Sequence, residues 1–315
     1  MGNTAMKTTI TKTTLGAMQT LPLQPGDHVY VDPIENEKPL DLTIVSKLGD
    51  GSTAVAYSAT SVQYGYPLVI KIPHNLRLGA ALITEARWTP RPSSKYYCYE
   101  FIGLRSAHIP SAGIEVRIPV TVTKYYSGGD LTQYLQIAHK CPQPLAMRWI
   151  AQIATALREA NVVHRDIKPD NIFLDEKQNA FIGDFGLAIP VSKSERERNG
   201  IQLRAWISGT PEYMSPEAML QPEIVDQRSD IYAIGLVLFQ LLTGVGARLD
   251  RPEDNCDLQK YIGEIQSVGF SLPLELVKGA KASLIIKNCT AVALRDRYQN
   301  YDDLLNAVIP LATFA

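Results

Sequence analysis

The sequence predicts an α+β fold in two parts, a strand-rich first lobe followed by a mostly helical second one. Three observations carry this. Between Leu42 and Tyr126 the apolar residues alternate and are rich in β-branched types, the pattern of half-buried strands. After Gly128-Gly129 that pattern gives way to apolar residues at helical spacing. Within the helical part stands a dense polar run, His164-Arg165-Asp166-Ile167-Lys168-Pro169-Asp170-Asn171, with Asp184-Phe185-Gly186 downstream. At 315 residues the chain is long enough for two lobes or one large domain, with ample core.

The elements follow in order. Residues 1–20 are rich in Thr and without periodicity, a loose arm. Pro22, Pro25-Gly26, Pro33 and Pro39 surround His28-Val29-Tyr30-Val31, which reads as a short strand between turns, an appendage packing on the first lobe. Residues 1–40 are thus expected to form a partly flexible N-terminal arm. The first lobe and its exit are expected over 41–126. Its strands are Leu42–Leu48, Thr53–Thr60, Pro67–Ile72 and Ile118–Thr123. Leu82–Arg87 reads as a helix that Pro90 and Pro92 stop early, and Ser94–Ala107 as a second helical stretch. The second lobe, 127–315, has helical spacing over Leu145–Ala160, Ile231–Leu242, Leu274–Cys289 and Tyr301–Leu311.

The polar residues carry chemistry. The Asp166 carboxylate can accept the proton of an attacking hydroxyl, and Asn171 and Asp184 offer the hard oxygen ligands that magnesium prefers. In Gly49-Asp50-Gly51-Ser52-Thr53-Ala54-Val55-Ala56 the glycines allow a backbone to approach phosphate oxygens closely. By itself that stretch is read equally well as a hairpin turn, and it is no Walker loop, since no Gly-Lys-Ser/Thr follows. Lys71 ends the apolar run Leu68-Val69-Ile70. It is costly to bury unless it meets negative charge, and alone it is more simply a surface lysine.

Together these residues resemble the motifs of the eukaryotic-type (Hanks-type) serine/threonine protein kinases, bacterial members included. The resemblance implies the bilobal protein-kinase fold, with a β-rich N-lobe carrying helix αC, a mostly helical C-lobe and a nucleotide cleft between them. It implies that Asp166 orients the substrate hydroxyl, that Lys168 offsets charge on the transferring phosphate, and that Asn171 and Asp184 hold Mg2+. Lys71 would meet the α- and β-phosphates of ATP with a helix glutamate as second partner. Glu85 is favoured for that role over Glu100. Leu48, Gly49, Gly51, Ala54 and Ala56 would cover the nucleotide, with Ala54 in place of the usual third glycine and Ala56 in place of valine. In Thr123-Lys124-Tyr125-Tyr126-Ser127-Gly128-Gly129-Asp130 the resemblance implies the hinge. Thr123 would back the adenine pocket, Lys124 and Tyr126 would present backbone groups, and Asp130 would lie near the ribose or a substrate residue.

Lys168 and the segment Gly209–Glu217 imply serine/threonine rather than tyrosine specificity, with Thr210 bracing Asp166 and Lys168. Glu217 would pair with Arg297 and Asp230 would anchor the loop backbone, both as fold residues; His164 would pack the loop. Arg165 implies control by phosphorylation, with Ser192, Ser194 and Ser208 as candidates. Two departures stand out: Ser215 replaces the alanine of Ala-Pro-Glu, and Val245-Gly246-Ala247-Arg248 replaces the usual Pro-Phe continuation. The activity implied is ATP- and Mg-dependent transfer of the γ-phosphoryl group to protein Ser/Thr hydroxyls, with autophosphorylation. The alternative is a pseudokinase, a nucleotide-binding regulatory module; a small-molecule phosphotransferase is a third reading.

Composition narrows the partners. A net charge of −1 gives no general field for nucleic acid or anionic lipid. Cys98, Cys141, Cys256 and Cys289 form no Cys-x-x-Cys pair, so neither a zinc knuckle nor a redox motif is expected. No apolar run is long enough to span a bilayer, the N-terminus lacks the apolar core of a signal peptide, and Met6 breaks the myristoylation pattern. The expectation is a cytoplasmic protein acting on protein substrates, without nucleic-acid binding or membrane insertion, and with no signal of oligomeric state.

Overall fold

The computed structural model describes residues 23–32, 39–51, 54–74, 101–108, 118–192, 209–246 and 272–314. Described residues up to Tyr125 belong to one compact unit and those from Tyr126 onward to a second.

The first unit is a single antiparallel sheet of β1 (His28–Asp32), β2 (Leu40–Asp50), β3 (Ala54–Thr60), β4 (Leu68–Pro73), β5 (Phe101–His108) and β6 (Ile118–Lys124). The strand order is β1-β2-β3-β4-β6-β5, and the pairing of β1 with β5 closes it into a barrel. Period-two alternation puts one face inside: Leu40, Leu42 and Ile44 of β2, Tyr57 and Ala59 of β3, Leu68, Ile70 and Ile72 of β4, and Val120 and Val122 of β6 are all buried. Each of the Leu, Ile and Val side chains contributes about 1.5–3 kcal/mol by leaving water. Val29 and Val31 of β1 join this core, so the strand between turns is part of the barrel wall. Leu23 is buried beside it, its amide donating to the Tyr57 hydroxyl at 3.1 Å.

The expected helix over Ser94–Ala107 is overturned from Phe101 onward. That stretch forms β5, which pairs with β6 on one side and β1 on the other. Two flanking ladders satisfy its backbone groups, and this tertiary pairing overrides local helix propensity. The rest of that stretch with Glu100, and the segment Leu82–Arg87 with Glu85 and the expected helix αC, lie outside the described residues.

The second unit contains α1 (Leu131–Ala138), α2 (Gln143–Ala160), β7 (Val162–Val163), β8 (Ile172–Leu174), β9 (Ala180–Ile182), β10 (Ile189–Pro190), α3 (Pro216–Leu220), α4 (Gln227–Thr243), α5 (Ala280–Cys289) and α6 (Tyr301–Val308). Asp130 caps α1, accepting from the Gln133 amide at 2.8 Å, and Gln133 returns the bond to form a capping box. Asp226 caps α4, and Gly244, at φ 75°, ends it. Ile231, Ile234, Leu236, Leu238 and Leu241 are fully buried, so α4 is the centre of this core. The α5 helix crosses α4 at Gly235, where an added Cβ would lie 2.5 Å from Cys289 Cβ. The helical spacing from Leu274 does not become one helix. Leu274–Leu276 is a 3-10 turn, and Gly279, at φ 99°, separates it from α5. Likewise α6 stops at Val308, and Ile309–Leu311 tightens into a 3-10 turn around Pro310, which has no N–H to continue the ladder. No helix among the described residues is long and apolar enough to cross a membrane.

Candidate active site

In the first unit, the antiparallel register aligns Gly49, Ala56, Lys71 and Thr121 in one row across β2, β3, β4 and β6. Lys71 and Ala56 are half-buried and Thr121 is buried. Two residues along the strands, Val69 pairs with Thr123, which is only 1% exposed, and Lys124 pairs with Leu68. At the tip of the β2–β3 hairpin a bulge falls between Lys47 and Gly49, leaving Leu48 unpaired and exposed. The Gly51 amide then donates to the Ala54 carbonyl at 3.0 Å. A Cβ at Gly49 would meet nothing within 4 Å, so this backbone is open to a ligand. Ser52 and Thr53 lie outside the described residues.

In the second unit the polar run Val163–Asn171 is held from below by one carboxylate. Asp230, fully buried on α4, accepts from the amides of His164 at 2.6 Å and Arg165 at 2.9 Å. The Tyr301 hydroxyl donates to the same group at 2.7 Å. Burial pushes the Asp230 carboxyl up, while His164, the two amides and Tyr301 oppose that shift. His164 is fully buried. Its Nε2 lies 3.0 Å from the Gly183 carbonyl and its Nδ1 3.3 Å from the Asp166 amide, so the tautomer protonated on Nε2 satisfies both. Its ring meets Phe185 edge-on, with centroids 4.8 Å apart, tying this loop to Asp184-Phe185-Gly186. Arg165 and Asp184 both occupy the left-handed region, at φ 69° and 64°, and such positions cost about 1–3 kcal/mol each and cluster at functional sites.

The Asp166 carboxylate meets donors from three residues. Its Oδ1 accepts from both the amide and the hydroxyl of Thr210, each at 2.8 Å. Its Oδ2 lies 3.1 Å from Asn171 Nδ2 and 3.3 Å from Lys168 Nζ. Lys168 Nζ also donates to Thr210 Oγ1 at 2.8 Å. Gly209 permits this approach: it sits at φ 115°, and a Cβ there would stand 2.5 Å from the Arg165 carbonyl oxygen. The bracing expected of Thr210 is therefore present in the geometry.

Asn171 and Asp184 stand at the mouth of the β8–β9 hairpin, where the Gly183 amide donates to the Asn171 carbonyl at 2.9 Å, one pair beyond Ile172 and Ile182. Asn171 Nδ2 is committed to the Asp166 carbonyl at 2.8 Å as well as to its carboxylate, so Oδ1 is the atom that a metal ion would meet. One carboxamide oxygen and one carboxylate fit magnesium, which keeps waters and substrate oxygens rather than entering an all-protein cage. No cluster of three or more metal-ligating His, Cys, Asp or Glu residues occurs among the described residues.

The other expected positions fall as follows. Tyr126 is buried between Phe173 and Phe181, with ring centroids at 6.4 Å and 4.3 Å. Asp130 is a helix cap, a role sequence reading missed; burial first, then the Asp170 charge, pushes its carboxyl up against the hydrogen bonds from Gln133 and Thr132. Glu217 and Arg297 form a bidentate pair at 2.7 Å and 2.8 Å, with Ser229 also donating to Glu217 at 2.7 Å. Burial alone would raise the Glu217 carboxyl; Arg297 and the serines outweigh it and hold it below its ordinary value of 4.5. Tyr301 was also missed, because only the folded chain brings α6 beneath the loop. Of the four cysteines, Cys141 and Cys289 are free and buried, and Cys98 and Cys256 lie outside the described residues.

Residues 42–300 match the protein kinase domain. CBL-interacting serine/threonine-protein kinase 7 of Arabidopsis thaliana is 29% identical over 75% of this chain and 53% of its own length. Serine/threonine-protein kinase pkn3 of Myxococcus xanthus is 36% identical over 39% of this chain and 23% of its own length. Serine/threonine-protein kinase PknL of Mycobacterium tuberculosis is 27% identical over 64% of this chain and 49% of its own. The chain belongs to the protein kinase family, and it spans about half or less of the length of these relatives, all three of them named as serine/threonine-protein kinases.

Proposed function

We propose that the chain is an ATP- and Mg2+-dependent serine/threonine protein kinase. The observation that carries this reading is the bond set on Asp166: two donors from Thr210, Asn171 and Lys168 aim one carboxylate while Lys168 stays beside it. Asp166 would receive the proton of a Ser or Thr hydroxyl as its oxygen bonds the γ-phosphorus and the bond from that phosphorus to the oxygen of departing ADP breaks. Lys168 would offset charge on the transferring group. Asn171 and Asp184 would hold Mg2+, which supplies neutralisation of the phosphate oxygens when bound. Lys71, paired with Glu85, would meet the α- and β-phosphates beneath Leu48, Gly49, Gly51, Ala54 and Ala56, with Thr123, Lys124, Tyr126 and Asp130 around the nucleoside. Catalysis of this kind is positioning and electrostatics, with little covalent work for the protein.

The names of the relatives support protein substrates bearing Ser or Thr. Residues 41–126 would serve as the N-lobe with its hinge, 127–315 as the C-lobe and 1–40 as an N-terminal arm. Autophosphorylation, a cytoplasmic location and the absence of a nucleic-acid role complete the reading.

The test is transfer from labelled ATP with Mg2+ to the chain itself and to a generic basic protein. Transfer should fall about 10²–10⁴-fold in Asp166→Asn with nucleotide binding kept, and should vanish in Asp184→Ala. Tight ATP binding without transfer under any condition would instead identify a binding module.

A further inference from the structure

The glycine-rich hairpin is fastened by a side chain that the kinase reading leaves unused. His74 follows β4 directly. Because Pro73 pairs with Ala54, and Gly51 bonds across the turn to Ala54, His74 emerges beside the hairpin tip. Its Nε2 lies 2.7 Å from the Gly51 carbonyl oxygen and 3.2 Å from Asp50 Oδ1. The other oxygen of Asp50 accepts from Lys47 Nζ at 2.6 Å. Asp50 is thus gripped from both sides, by a lysine on its own strand and by an imidazole at the end of the strand that carries Lys71. Lys47, first through its hydrogen bond, holds the Asp50 carboxyl below its ordinary value, keeping it an anion opposite the imidazole. Both contacts of Nε2 need a proton on that nitrogen, which is available in one neutral tautomer and in the imidazolium alike.

We infer that His74 is a positioning residue for nucleotide: it latches the hairpin at Gly51 and Asp50, holding the glycine backbone in register with the strand bearing Lys71. This rests on the kinase reading of the hairpin. A latched loop has already surrendered freedom that a loose one must give up when phosphates arrive, so the latch strengthens binding without touching the reacting atoms. Both acceptors belong to the loop, and the imidazole itself is one-third exposed, so it is not a packing element of the barrel core.

The test is a titration of Mg-ATP against the full chain by calorimetry, beside steady-state phosphorylation of a basic protein. His74→Ala should weaken Mg-ATP binding and raise KM for ATP about fivefold, the scale of one lost hydrogen bond, with kcat and thermal midpoint close to wild type. His74→Gln, whose amide nitrogen can donate to the Gly51 carbonyl, should restore most of the affinity. Asp50→Asn, which removes the shared anion, should weaken binding in the same direction. Unchanged affinity in His74→Ala, or His74→Gln as weak as alanine, overturns the latch. Wild-type chain that binds Mg-ATP yet transfers nothing overturns the kinase reading and leaves the latch standing on the titration.

Discussion

Replacing Thr210 by valine removes one hydroxyl from the bond set on Asp166 and leaves the rest in place. The hydroxyl donates to Asp166 Oδ1 and accepts from Lys168 Nζ, both at 2.8 Å. After the change the Thr210 backbone amide still bonds Oδ1, and Lys168 still lies 3.3 Å from Oδ2. What disappears is one hydroxyl that serves two charged groups whose side chains are 23% and 14% exposed, shielded enough for the loss to be felt. Hydrogen bonds to charged groups contribute about 1.5–3 kcal/mol, and at about 1.4 kcal/mol per decade that is roughly a 10- to 150-fold loss in kcat. KM for ATP should move little, because the groups assigned to nucleotide are untouched. Thr210→Ser keeps the hydroxyl and should stay within about threefold of wild type, since serine offers the same donor and acceptor. The assay is steady-state phosphorylation of a Ser/Thr peptide, with urea unfolding as a control for fold. Valine within twofold of wild type, or serine falling as far as valine, would refute the bracing argument.

Glu217→Gln should destabilise by about 3–5 kcal/mol, because it leaves the fully buried Arg297 guanidinium without its counter-charge; urea midpoints measure this, and Arg297→Met added to it should recover part of the loss. The same pair sets an acid limb. The lowered Glu217 pKa contributes stability that is complete above its ordinary value of 4.5 and is lost as pH falls through the depressed folded value. Unfolding curves between neutral and acid pH should therefore slope less in Glu217→Gln than in wild type. Tyr301→Phe removes a donor from buried Asp230 and should cost about 1.5–3 kcal/mol by the same urea measurement, with kcat lowered through the loosened loop.

The loop chemistry was legible because its residues are contiguous and their ordered combination is distinctive, though each type is common on its own. Asp166, Lys168 and Asn171 lie within six consecutive residues, and Thr210, Glu217, Asp230 and Arg297 carry local patterns that place them at recognisable positions. The structure then brings them together as hydrogen bonds and ion pairs. Strands β2, β3, β4 and β6 were legible from alternation. The strand at Phe101–His108 was not, because its state is decided by partners on two other strands. Tyr301 was illegible for the same reason: its hydroxyl meets a carboxylate 71 positions away. Asp130 shows the reverse case. Its capping box with Gln133 is a local signal, set by residues three apart in the chain. Nothing in the sequence alone marks His74, whose meaning depends on the register of β3 with β4.

The family's match begins at residue 42 and ends at 300, yet the molecule does not stop at those limits. A fragment cut there would lose β1, one stave of the barrel, and leave the flanks of β2 and β5 bare for any passing chain to join. At the other end it would lose Tyr301 by a single residue, and with it one of the donors to the Asp230 carboxylate that anchors His164 and Arg165. Boundaries drawn from kinship and boundaries drawn from packing differ in this protein, and a sound working fragment must honour the second.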